Sequence, residues 1–122
     1  MPTTAMSETA TSGLSNLEYH VLLALASGPM HGYALAVAVA AESGGTLTPR
    51  AGSMYRVIAR LMSAGLVEEA EPVDRSDPHP GLARKYYALT RAGRAALGAE
   101  SRRLKEAAAL AERRLRIARG RA

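Results

Sequence analysis

A chain of 122 residues without cysteine has room for one domain and an appended element. It forgoes disulfides, thiolate metal sites and cysteine nucleophiles together. Hydrophobic residues make up 48%, but many are alanine and there is neither Trp nor Phe, so the core is thin and burial against a partner chain is expected. The formal charge of +5 is unevenly placed: residues 1–49 hold three acids and no base, residues 50–90 six bases and five acids, and residues 91–122 ten bases and three acids. A basic balance suits a polyanionic partner, and on charge alone it suits a solvated arginine-rich helix equally well.

Residues 1–13 are small and polar and are expected to form a disordered arm. They lack the basic and apolar stretches of a signal peptide, and the alanine-rich run from Ala34 to Ala41 is far short of the ~20 residues of a membrane span. A cytoplasmic protein with no membrane partner is expected. Ser15-Asn16-Leu17-Glu18 reads as a capping box with Leu14 as its staple. Leu17, Val21, Leu22, Ala24 and Leu25 continue at helical spacing until Gly28-Pro29 ends the first helix. A second helix, from about His31 to Ser43, buries Leu35, Ala38 and Val39 and stops at Gly44-Gly45.

Thr48-Pro49 predicts the cap and first residue of a third helix reaching Ala64, with Gly65 beyond its end. Met54, Ile58 and Leu61 fall on a core-facing stripe, and Ser53, Arg56, Arg60 and Ser63 on a separate polar stripe. Residues 66–71 and 84–89 predict two strands around a proline-bearing loop too long for a tight hairpin. Thr90 predicts the cap of a fourth helix to about Arg119. Along it Leu97, Leu104, Ala111 and Ala118 lie seven apart, with Ser101, Ala108 and Leu115 between them. That seam has coiled-coil spacing on a helix of the order of 40 Å, which outreaches the domain before it. It predicts a homodimer held through Leu97, Leu104, Ala108, Ala111 and Leu115.

The resulting fold class is mainly α with a small β part: a winged helix-turn-helix over residues 14–90, followed by a dimerisation helix over residues 91–119. In such a domain the third helix enters the major groove of double-stranded DNA. Arg56 and Arg60 suit guanine edges, Ser53 suits a base or a phosphate, and Arg50 precedes a first turn whose N–H groups suit a phosphate. Tyr55 lies between the two stripes, placed either to offer its hydroxyl to a phosphate or to pack in the core. The wing tip holds Asp74 and Asp77 beside Arg75 and His79, so Arg84 and Lys85 on the returning strand are the better phosphate contacts. His31 reads as a cap or a core residue. His20, His31 and His79 are too far apart to suggest a metal site. No phosphate loop or nucleophile elbow appears, so neither an enzyme nor a cofactor is expected.

Leu22-Leu23-Ala24-Leu25-Ala26-Ser27-Gly28-Pro29-Met30-His31-Gly32-Tyr33-Ala34-Leu35 resembles the opening of PadR-family transcriptional regulators. Three further blocks are similar to the family's motifs, in the same order: Gly52-Ser53-Met54-Tyr55, Arg60-Leu61-Met62-Ser63-Ala64-Gly65-Leu66-Val67, and Arg84-Lys85-Tyr86-Tyr87-Ala88-Leu89-Thr90-Arg91-Ala92-Gly93. The resemblance implies a dimeric repressor of the compact branch, whose single C-terminal helix packs on the partner subunit. It also implies release from DNA by a small-molecule effector of unspecified identity, and backbone contacts from Ser53 and Tyr55. Two features depart from the family pattern: Arg56 stands where proline is common, and Gly81-Leu82-Ala83-Arg84-Lys85 lacks one arginine and the proline of the usual wing. Two other readings remain open at this point. One is a winged-helix interaction module that does not bind specific DNA; the other places nucleic-acid binding on the basic C-terminal helix.

Overall fold

The computed structural model describes residues 13–72 and 85–121. The elements in chain order are α1 (Asn16–Leu25), β1 (Met30–His31), α2 (Gly32–Glu42), α3 (Ala51–Ser63), β2 (Val67–Ala70), β3 (Tyr86–Leu89) and α4 (Arg91–Arg121). The expected arm, apart from Gly13, and the wing loop with Arg84 lie outside the described residues. Among the described residues no helix is long and apolar enough to cross a membrane.

Local chemistry sets each boundary. The capping box forms in both directions: Ser15 Oγ accepts the Glu18 N–H at 3.1 Å, and Glu18 Oε1 accepts the Ser15 N–H at 2.7 Å. His31 caps α2, its Nδ1 accepting the Ala34 N–H at 3.1 Å. Helix α2 ends where Gly44 and Gly45 adopt φ of 65° and 81°, and the Gly45 N–H returns to the Ala40 carbonyl at 2.8 Å. The start of α3 differs from the sequence expectation. Arg50 remains extended at ψ 163°, and its carbonyl accepts the first helical bond, from Met54 at 2.9 Å. Arg50 is therefore the N-cap, without a side-chain bond, and the Thr48 hydroxyl sits too far upstream to serve.

Strands β1, β3 and β2 form an antiparallel sheet in that order, with β3 in the middle. Val67 pairs with Leu89 and Ala70 with Tyr86 on one side, and Met30 pairs with Tyr87 on the other. The first of these strands was not foreseen. It has only two residues, too few for an alternating pattern to register.

The core lies where α1, α2 and α3 meet the sheet. Val21, Leu22 and Leu25 pack with Leu35 and Val39, with Met54, Val57, Ile58 and Leu61, and with Val67, Tyr87 and Leu89. Full burial of a side chain such as Leu22 contributes about 1.5–3 kcal/mol. Helix α4 spans 31 residues, about 46 Å at ~1.5 Å per residue. Its first turns dock on α1, where Tyr19 Oη and Ser101 Oγ share a hydrogen bond of 2.8 Å.

Candidate nucleic-acid interface

Helix α3 is sharply two-faced. Met54, Val57, Ile58 and Leu61 are buried, while Tyr55, Arg56 and Arg60 are exposed and Ser53 is half-buried. Tyr55 keeps 61% of its surface exposed, so core packing is not its role. Arg56 Nη2 donates to Ser53 Oγ at 3.5 Å, a long bond that leaves the guanidinium on the surface. Arg50 is exposed just ahead of the first turn. The polar stripe predicted from spacing is thus one continuous outer face.

Arg60 is more constrained than its neighbours. Its Nε donates to Glu18 Oε2 at 3.2 Å, while the other oxygen of that carboxylate closes the α1 capping box. Burial pushes the Glu18 carboxyl up, but the Ser15 N–H, the Arg60 guanidinium and the Ser15 hydroxyl together hold it below its ordinary value. Lys85 pairs with Glu69 at 3.9 Å, and both side chains are largely exposed, so this contact is weak and solvent-screened.

Two surface contacts escaped the sequence reading. Glu18 appeared there only as half of a capping box, because its second partner lies 42 residues away. Tyr33, on the first turn of α2, is 74% exposed. Its ring stacks on His31 at 6.5 Å, and the His31 ring meets the buried Tyr86 edge-on at 5.4 Å. A tyrosine two residues after a capping histidine was the signal available for it. Among the described residues no three His, Asp or Glu side chains are placed to hold a metal ion.

The seam on α4 divides near Ser101. Leu97 is half-buried against the domain core. Glu100 is buried, and Arg103 grips it with bonds of 2.9 and 2.6 Å, which hold its carboxyl low. Further out, Ala108 and Ala111 are exposed, and Leu104 and Leu115 are 39% and 59% exposed. Ile117 joins them at 57%.

Residues 21–99 match the transcriptional regulator PadR-like family. A stretch of 81 residues is 42% identical to an uncharacterised 37.1 kDa protein of a Streptomyces fradiae transposon; it covers 66% of this chain and 21% of that protein. Among solved structures, a PadR family transcription regulator from Clostridium difficile superposes with a TM-score of 0.67 at 20% identity, over 83% of this chain and 99% of that one. A PadR-like transcriptional regulator from Bacillus cereus gives 0.67 at 21% identity, over 81% and 90%. Bacillus subtilis PadR, solved in complex with operator DNA, gives 0.58 at 22% identity, over 70% of this chain and 46% of that one. At these identities the structural likenesses establish the fold, a winged helix with a long C-terminal helix. The chain belongs to the PadR-like family of transcriptional regulators.

Proposed function

We propose that this regulator is a cytoplasmic repressor that binds a two-fold DNA operator as a homodimer, with α3 in the major groove. The observation that carries the reading is the outer face of α3. The helix commits Met54, Val57, Ile58 and Leu61 to the core and leaves Tyr55, Arg56 and Arg60 exposed, with Ser53 half-buried beside them. On this reading Arg56 pairs with a guanine edge, and Ser53, Tyr55, Arg50, Arg84 and Lys85 supply phosphate contacts around it. The operator complex of Bacillus subtilis PadR supports the reading, since that protein uses the same fold on DNA. The homodimer is supported by the outer seam of α4, where Leu104, Ala108, Ala111 and Leu115 stand uncovered and Leu97 marks the inner end. Relief by a small-molecule effector belongs to the same proposal through the family resemblance.

Selection of bound sequences by the purified protein, followed by footprinting, tests the reading. Two half-sites about 34 Å apart are expected, with affinity falling steeply as salt rises. Protection of one isolated half-site would sink it. A second reading is favoured by the internal pairing of Arg60 with Glu18 and of Lys85 with Glu69. Cations already paired within the chain suit an interaction module without specific DNA binding. Absent or salt-insensitive binding at low ionic strength would select that alternative.

A further inference from the structure

The end of α3 and the start of α4 meet in a tight joint. Gly65, at φ 77°, reverses the chain after α3, so that the Leu66 N–H reaches the Leu61 carbonyl at 2.9 Å. The Gly65 and Leu66 carbonyls are taken up by Thr90. Its Oγ1 donates to the Gly65 carbonyl at 2.6 Å, and its N–H donates to the Leu66 carbonyl at 3.1 Å. The same hydroxyl oxygen accepts the Gly93 N–H at 3.0 Å. One side chain therefore caps α4 and ties it to the end of α3.

Gly93 closes the joint from the other side. It is buried, and a Cβ built on it would overlap the Leu66 carbonyl oxygen and press on Leu89 Cδ2. Glycine is required here for close approach, since the residue sits in ordinary helix. Any side chain at this point must move α4 away from the end of α3.

We infer that Thr90 and Gly93 are positioning residues for operator recognition, setting the half-site spacing that the dimer accepts without touching DNA themselves. The inference rests on the homodimer–operator reading, in which α4 carries the subunit contact and α3 the DNA contact. The joint between them then fixes how far apart the two α3 helices stand. Leverage makes small changes matter. A tilt of about 5° at the base of α4 moves a point ~30 Å along it by roughly 2–3 Å, close to the ~3.4 Å rise of one base-pair step.

The test compares the wild type with Thr90→Val, Thr90→Ser, Gly93→Ala and a core control, Val39→Ala. Each is assayed by sedimentation and by affinity for operators whose half-site spacing varies in single base-pair steps. Thr90→Val is expected to stay dimeric and to lose about tenfold of the preference for the wild-type spacing, within the usual span of coupling between distant sites. Gly93→Ala should lose more, and Thr90→Ser should restore the wild-type pattern. Val39→Ala should lower Tm while leaving the preference intact. If Gly93→Ala fails to fold, Thr90→Val still decides. An unchanged order of spacing preference in Thr90→Val, or an equal shift in Val39→Ala, overturns the inference alone. A monomeric wild type, or one that binds single half-sites, overturns the homodimer reading and this inference with it.

Discussion

Helix α3 and the outer half of α4 both carry arginines and both show much of their surface to solvent, but for opposite reasons. Helix α3 hides Met54, Val57, Ile58 and Leu61 in the core, so the face it exposes centres on Arg56 and Arg60, with Tyr55 and the partly exposed Met62 beside them. Beyond Ser101, α4 rests on little of its own domain, and what it exposes includes Leu104, Leu115 and Ile117. The outer half also holds eight bases against two acids over residues 102–121, whereas α3 holds only Arg56 and Arg60. Charge density alone would favour α4 as the DNA contact, whereas apolar coverage supports the proposed placement on α3. An apolar row laced with charges on a long helix is the composition of a coiled-coil face, and a helix that has already buried its apolar side is free to present its polar side to a ligand.

The strongest way to break this comparison is to charge the seam. Leu104→Glu together with Leu115→Glu adds like charges where two copies of α4 are proposed to meet. Both positions are exposed in the single chain, so circular dichroism is expected to stay unchanged while sedimentation shifts to monomer. Operator affinity should fall by ~10³-fold or more, toward the level of non-specific binding. A variant that remains dimeric would remove α4 from the interface.

The next largest effect separates the two arginine-bearing faces. Arg56→Ala is expected to relax specificity at one base-pair position by about 1–3 kcal/mol, read by competition among single-base operator variants. Arg114→Ala, exposed on the outer half of α4, should leave base preference unaltered. The reverse outcome would move the reading face to α4. Uniform weakening by Arg56→Ala would make it a phosphate contact, leaving specificity to other side chains.

Most of the framework was legible because it depends on neighbours in sequence. The Ser15–Glu18 box, the Gly44-Gly45 stop and the Thr90 cap each use partners within a few residues, and the two faces of α3 follow from a 3.6-residue period. What stayed hidden depends on partners distant in sequence. Strand β1 exists only because Met30 and His31 lie along β3. Arg60 was legible as a surface cation, but its tie to Glu18 needs α1 and α3 in place. The seam was legible as a row of small and apolar residues. That Leu97 leans on the core while Leu104 does not is decided by where the domain ends, which no heptad count reveals.

The smallest expected effect probes how much of the α3 charge is already spent inside the chain. Because the Glu18 carboxyl is held below its ordinary value of 4.5, its contribution to stability is fully present above that value and is lost as pH falls through the lower, folded value. Glu100, held low by Arg103, weakens on the same acid limb, so Glu18→Gln is needed to isolate one from the other. That variant should flatten part of the fall in Tm below pH 4.5. At neutral pH it should cost no more than ~1 kcal/mol, since the Arg60 side of the pair is exposed; Ser15→Ala, which removes the cap itself, should cost about 1 kcal/mol. The consequence for DNA runs the other way. Releasing Arg60 from its carboxylate should raise operator affinity slightly and steepen the salt dependence by about one phosphate contact. An unchanged salt slope would show that Arg60 braces α3 against α1 and lies off the DNA, which narrows the reading face to Ser53, Tyr55 and Arg56.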